Sequence, residues 1–247
     1  DVFIIPDASK DPRFADNPLV TGDPHIRFYA GCPIRHLDGS KLGTLCIIDT
    51  RPRILDMGEL TAMRDLAALV ERELAMVELA TQDELTGLYN RRGFLMLAEQ
   101  SLNFCAREGI SASLVFLDLD DLKGINDTHG HEAGDQAIAM LAEEIRNTCR
   151  DMDIAARLGG DEFVLLLLKA RKDTARRILK RLCDALESFN STSGRPYSVT
   201  CSPGVVEFDP ERHRTIEVLL AEGDEHMYES KARKRSKSGG DSSQASA

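Results

Sequence analysis

The chain has 247 residues and a mass of 27.3 kDa, with 42% hydrophobic and 29% charged residues, which excludes a disordered or fibrous chain and suits one large or two small domains. A formal net charge of −10, from 41 acidic and 31 basic residues, argues against general nucleic-acid or anionic-membrane binding, although a local basic cluster could still hold a small anion. No apolar run, Val164 to Leu168 included, is long enough to cross a bilayer. No signal-peptide pattern is present, and the six cysteines have neither a C-x-x-C pair nor regular spacing, so reduced thiols in a cytoplasmic protein are expected.

The chain begins at Asp1 rather than at a methionine, as expected of a processed or trimmed chain. Residues 1–57 are rich in Pro, Asp and Gly. Within them Phe28 to Ile34 and Leu42 to Asp49 read as strands, with Asp38-Gly39 as a hairpin-type turn, and Pro6 to Pro24 reads as a loop. Residues 58–82 read as one periodic helix. Leu60, Ala67 and Leu74 alternate with Met63, Val70 and Val77 as a and d positions of heptads, with Leu66 and Leu69 as extra apolar residues. That pattern suits either a dimeric coiled coil or a helix packed on its own domain.

Residues 83–235 alternate helices and strands in the order α, β, α, α, β-hairpin, α, β, α. Ala112 to Leu119 reads as a buried strand and Ala133 to Arg150 as an amphipathic helix. Ile154 to Leu158 and Glu162 to Leu168 read as strands joined at Gly159-Gly160. Thr174 to Phe189 reads as a helix, Tyr197 to Cys201 and Gly204 to Phe208 as strands, and Ile216 to Arg233 as a helix. Residues 236–247 are rich in Ser, Gly and Lys and are expected to be disordered. There is no internal repeat.

The chemistry gathers in the second half. In Leu114-Val115-Phe116-Leu117-Asp118-Leu119-Asp120 an apolar strand runs into acids, which places Asp118 at a strand's carboxyl edge, where sites on α/β sheets gather. The glycine turn after Arg157 delivers Asp161 and Glu162. If this hairpin pairs beside the first strand, Asp118 and Asp161 approach, and two such carboxylates repel unless a cation lies between them. Hard oxygen donors in that number suit magnesium, which completes its shell with water and substrate phosphates.

Taken together, Asp83-Glu84-Leu85-Thr86-Gly87-Leu88-Tyr89-Asn90-Arg91-Arg92, Asp118 to Asp127, Gly130 to Asp135 and Arg157-Leu158-Gly159-Gly160-Asp161-Glu162-Phe163 resemble, in order and spacing, the GGDEF family of diguanylate cyclases. The resemblance covers about residues 80–235. It implies an α/β (α+β) palm-like domain with a mostly antiparallel central sheet, related to class III nucleotide cyclases, which condenses two GTP into cyclic di-GMP and two pyrophosphates. It implies Asp118, Asp161 and the Leu119 carbonyl as ligands for two Mg2+ ions, with Mn2+ as an alternative. Glu162 would be a further metal ligand or would help to deprotonate the attacking 3′-hydroxyl. Asn126 and Asp135 match the guanine-reading pair, Lys123 a phosphate contact, and the backbone N–H groups of Asp121 and Leu122 the phosphate loop. Lys231 and Arg235 match a phosphate-binding basic pair, although Lys234 stands where a glycine is usual. His129 and His131 have H-x-H spacing, yet the family pattern puts them in a loop-to-helix turn rather than at a metal.

Upstream, Arg150-Asp151-Met152-Asp153 matches the family's R-x-x-D product site for cyclic di-GMP, in which Arg150 and Asp153 would be joined by a second arginine, Arg181 or Arg177. Residues 1–79 resemble the C-terminal part of a GAF sensor domain through Asp11-Pro12-Arg13-Phe14, Pro24 to Pro33 and Gly43 to Asp49. Its opening helix and strands are expected to be absent, and Cys32 and Cys46 are expected to be buried strand cysteines rather than chromophore anchors. Two GTP must face each other during turnover, so a homodimer held or rotated by the 58–82 helix is expected. The competing expectations are a silent cyclic di-GMP receptor and a dimeric signalling scaffold.

Overall fold

The computed structural model describes residues 2–238, with side chains described as far as Lys234. The chain divides into two compact units, residues 1–79 and 80–247.

In the first unit an antiparallel sheet has the order β1 (Phe3–Ile5), β2 (Phe28–Arg35), β3 (Lys41–Asp49). Strand β1 is too short to have carried a sequence signal, and Ile4 pairs with Ala30. The β2–β3 turn closes around Gly39, whose φ of 85° suits the residue without a side chain. The segment Pro6 to Pro24 is not wholly loop. It contains a single helical turn, α1 (Pro18–Thr21), whose N-cap Asn17 accepts a hydrogen bond from the Leu19 N–H while Pro18 supplies the first helical position.

Helix α2 (Met57–Thr81) puts Met63 and Ala67 onto Phe28, Ala30 and Cys32 of the sheet. Two of the six positions of the expected heptad seam are therefore consumed inside the unit. Cys32 is buried as expected, but Cys46 is exposed, because β3 is an edge strand whose side chains are largely uncovered. All six cysteines are free.

The second unit centres on β4 (Ala112–Leu119), all eight residues of which are buried. Its neighbours are β6 (Glu162–Leu168) and β7 (Cys201–Glu207), with β5 (Ile154–Gly159) outside β6, and every pairing is antiparallel. A strand that is buried at every position needs cover on both faces. Val115, Leu117 and Leu119 face α5 (His131–Thr148) and α6 (Lys172–Thr192), whereas Leu114 and Phe116 face α3 (Arg91–Glu108) and α7 (Ile216–Ser238). The short α4 (Leu122–His129) follows β4 directly.

Two expectations change here. In place of the strands expected at Tyr197–Cys201 and Gly204–Phe208 there is one strand, Cys201–Glu207, that runs through Pro203, and Tyr197 to Thr200 lie outside it. Proline is tolerated because β7 lies at the sheet edge, where a missing N–H can face away from the ladder. The tail expected to be disordered from residue 236 is helical as far as Ser238, and residues 239–247 lie outside the described residues.

Candidate active site

The β4–β6 register sets Asp118 directly opposite Glu162, and the Leu119 N–H donates to the Asp161 carbonyl at 2.9 Å. The expected approach of the glycine hairpin to the end of β4 is therefore present, with Asp118, Asp161 and Glu162 at one strand end. Gly160 adopts φ 53°, and Arg157 ties the turn down by donating from Nε and Nη2 to the Gly160 carbonyl at 3.0 and 2.9 Å.

Arg157 also reaches Asp83, 3.3 Å from Nη1 to Oδ1, while Asp83 accepts from the Thr86 N–H and hydroxyl. The Asp83–Gly87 turn and the acidic hairpin are thus fastened together. Burial works against the charge on Asp83, but Thr86 and Arg157 outweigh it and hold its pKa below the usual carboxylate value.

Asp118 is 7% exposed. Burial, with the charges of Asp161 and Asp120, pushes its pKa up, and Lys231 opposes this from 2.6 Å. Glu162 is pushed up by burial first, then by Asp224, against the pull of Arg91, whose guanidinium lies 3.9 Å away. The sequence reading gave no role to Asp120, yet it is held by the Ser202 hydroxyl (2.5 Å), the Thr200 hydroxyl (2.9 Å) and Lys234 Nζ (2.9 Å). Burial alone would raise the pKa of Asp120, but these donors bring it below the usual value. Lys234, the residue standing where a glycine was expected, therefore has a place of its own at the strand end.

Asp121 caps α4 with φ 55°, and its carboxylate folds over Gly124, where a Cβ would collide with it. Leu122 is the first residue of that helix, and Lys123 is exposed upon it. Asn126 sits farther along α4 with its Oδ1 buried and without a hydrogen-bond partner. The atom fits only because residue 134 is glycine, since a Cβ there would overlap Asn126 Oδ1. Asp135, the next residue of α5, is exposed. A buried orphan acceptor costs free energy and marks a place where a ligand's donor can bind. Tyr197 ties the same corner down, donating from its hydroxyl to the Ala133 carbonyl at 3.2 Å. His129 ends α4 and lies against Tyr197, with ring centroids 5.5 Å apart, and His131 opens α5.

Among the described residues no three His, Cys, Asp or Glu side chains converge as a metal-binding group. The donor set nonetheless fits magnesium, which is held through one or two carboxylates with water and phosphates completing the shell. Burial first, and then the charges of Asp161 and Asp120, push Asp118 towards its neutral form, and Lys231 is the cation that opposes them. The side chain of Arg235 lies outside the described residues.

At the R-x-x-D segment, Asp153 accepts from the backbone N–H groups of Arg150 (3.0 Å) and Leu168 (3.1 Å). Arg150 and Asp153 line a cavity of about 260 Å³ with Gln82, Tyr89 and Arg146. Arg181 reaches this end of α5, its Nη2 donating to the Thr148 carbonyl at 3.3 Å, whereas Arg177 turns to Thr174 on its own helix. No described helix is long and apolar enough to cross a membrane.

Comparison with known proteins agrees with this geometry. Residues 80–237 match the diguanylate cyclase GGDEF domain, and residues 1–74 match the GAF domain. Diguanylate cyclase DgcP of Pseudomonas aeruginosa is 37% identical over 153 residues, covering 62% of this chain and 22% of that protein. Cyclic di-GMP phosphodiesterase PA2567 of the same organism is 36% identical over 216 residues, covering 83% of this chain and 35% of that protein. The chain thus spans only a fraction of the length of these relatives. The coiled coil and GGDEF domain of DgcB from Caulobacter crescentus, solved in complex with c-di-GMP, superposes with a TM-score of 0.64 at 26% identity, covering 70% of this chain and 92% of that one.

Proposed function

The chain belongs to the GGDEF family of diguanylate cyclases, and from that premise we propose that it condenses two GTP into cyclic di-GMP and two pyrophosphates. The observation that carries the reading is that the β4–β6 register and the glycine turn bring Asp118, Asp161 and Glu162 to one end of the sheet, with Lys231 bonded to Asp118. A ribose 3′-hydroxyl must lose a proton and attack an α-phosphorus while pyrophosphate leaves. Mg2+ or Mn2+ bound by Asp118, Asp161 and the Leu119 carbonyl would stabilise the entering and leaving oxygens. Glu162, whose carboxyl holds its proton more tightly than a free one, is suited to take up the hydroxyl proton.

The start of α4 offers the Asp121 and Leu122 N–H groups to phosphate, with Lys123, Lys231 and Arg235 as cationic contacts. The orphaned Oδ1 of Asn126 accepts from the guanine edge and Asp135 accepts its remaining N–H groups. Each subunit holds one GTP, so the reaction takes place in a homodimer with two sites face to face. The cavity lined by Arg150 and Asp153, with Arg181 bonded to the nearby end of α5, binds cyclic di-GMP and limits synthesis as product accumulates.

A second reading is a receptor that binds cyclic di-GMP without making it, using the cavity lined by Arg150 and Asp153. Turnover separates the two. Nucleotide-free protein given GTP and Mg2+ is expected to release cyclic di-GMP and pyrophosphate in a one-to-two ratio, with the rate falling as product builds up. Absence of both products, with tight binding of added cyclic di-GMP, would establish the receptor instead.

A further inference from the structure

Lys231 holds an unexpected place for a phosphate contact. Its Nζ lies 2.6 Å from Asp118 Oδ1, and the two side chains are only 23% and 10% exposed. A carboxylate that would serve a divalent cation is thereby already neutralised by a cation of the chain itself. Three residues on, Lys234 Nζ donates to Asp120 Oδ2 at 2.9 Å and to the Cys201 carbonyl at 2.6 Å. Asp120 is in turn held by Ser202 and Thr200. The end of α7 is therefore anchored to the sheet by contacts that do not involve Lys231. An ammonium on a flexible four-carbon stem can leave Asp118 while the helix stays where it is.

An ammonium in hydrogen-bond contact with a carboxylate and a divalent cation on the same group would lie within a few ångströms of each other. In a site this sheltered their repulsion is poorly screened, so they exclude one another. A nucleotide changes that balance, because its phosphates supply new acceptors for the displaced ammonium.

We propose that Lys231 is an exchangeable counter-ion, which neutralises Asp118 in the empty site and passes to the nucleotide phosphates when a divalent cation takes Asp118. The proposal rests on the cyclase reading of this site and adds an order to it: metal without nucleotide is held off, and metal with nucleotide is admitted.

The test is Mn2+ binding by the full chain without nucleotide, followed by electron paramagnetic resonance. Lys231→Met should bind Mn2+ at least about tenfold more tightly than the parent chain, because the competing charge is gone. Lys231→Arg, which keeps the charge, should stay near the parent value. With Mn2+ and GTP together, Lys231→Met should bind nucleotide more weakly. If Lys231→Met does not fold, as judged by its melting transition, Lys231→Gln serves in its place. Mn2+ affinity unchanged or weakened in the neutral variant, while the parent chain turns over GTP, overturns the exchange and leaves the cyclase reading standing. Mn2+ bound as tightly by Asp118→Asn as by the parent chain places the cation elsewhere and overturns both.

Discussion

Asp118 and Glu162 face each other across the β4–β6 ladder, and both carboxyls hold their protons more tightly than they would in the unfolded chain. A raised folded-state pKa on an acid gives stability that is complete below the unfolded value and is lost as pH rises through the folded one. The metal-free protein therefore carries a stability cost at neutral pH that comes from its own site. Glu162→Gln should raise the melting temperature at neutral pH, and the gain should vanish near pH 4, about where a free glutamate is itself protonated. Scanning calorimetry at the two pH values checks this, and a lower melting temperature at neutral pH would contradict it. Cyclic di-GMP synthesis should fall in the same variant, because stability and function oppose each other at this residue. Asp161→Ala should abolish synthesis while sparing cyclic di-GMP binding, and Arg150→Ala should relieve product inhibition while sparing synthesis. Progress curves with and without added product separate these two outcomes, and full synthesis by Asp161→Ala would remove Asp161 from the site.

The elements that carry the site are held by contacts between parts of the chain far apart in sequence. Arg157 on β5 reaches Asp83, and Arg157→Ala, which removes that bond and the two to the Gly160 carbonyl, should cost about 1–3 kcal/mol in a urea titration and lower the turnover rate. Gly134→Ala drives a methyl group into the space of Asn126 Oδ1. It should raise KM for GTP far more than it lowers kcat, with helix content unchanged by circular dichroism.

Local pattern made part of this legible. The apolar run ending in Asp118 announces a central strand with an acid at its edge, and Gly159-Gly160 announces the hairpin that delivers Asp161. The guanine pair came only through resemblance, because an exposed aspartate and a half-buried asparagine leave no periodic trace. Asp83 and Arg157 are 74 residues apart, beyond any local rule. Lys234 reads as one more lysine of a basic helix end until the fold brings Asp120 beneath it. Strand β1 is three residues long, and Pro203 suggested a break in β7 that the sheet edge makes unnecessary.

At the scale of the whole molecule, helix α2 shows that the two readings of its periodicity belong to different faces. Met63 and Ala67 are spent on the first unit's own sheet. Leu66, Leu69, Val70, Met76 and Val77 remain exposed, with Leu66 at 55%, Leu69 at 60% and Met76 at 65%. Leu66, Leu69, Glu73 and Met76 follow one another by three or four residues, with Val70 and Val77 adjoining them, so the set lines one side of the helix at coiled-coil spacing. An apolar stripe of this length is costly in water, and a second copy of the same helix would cover it in a two-fold arrangement. The proposed chemistry has the same requirement, since two GTP on separate subunits must face each other. The double variant Leu66→Glu/Leu69→Glu puts like charges along the stripe without touching Met63 or Ala67. By light scattering it should be monomeric at concentrations where the parent chain is dimeric. Its synthesis should fall and rise again as the square of protein concentration, while each subunit still binds one GTP. A variant that stays dimeric and fully active would assign the pairing to another surface, leaving the stripe without a role in turnover.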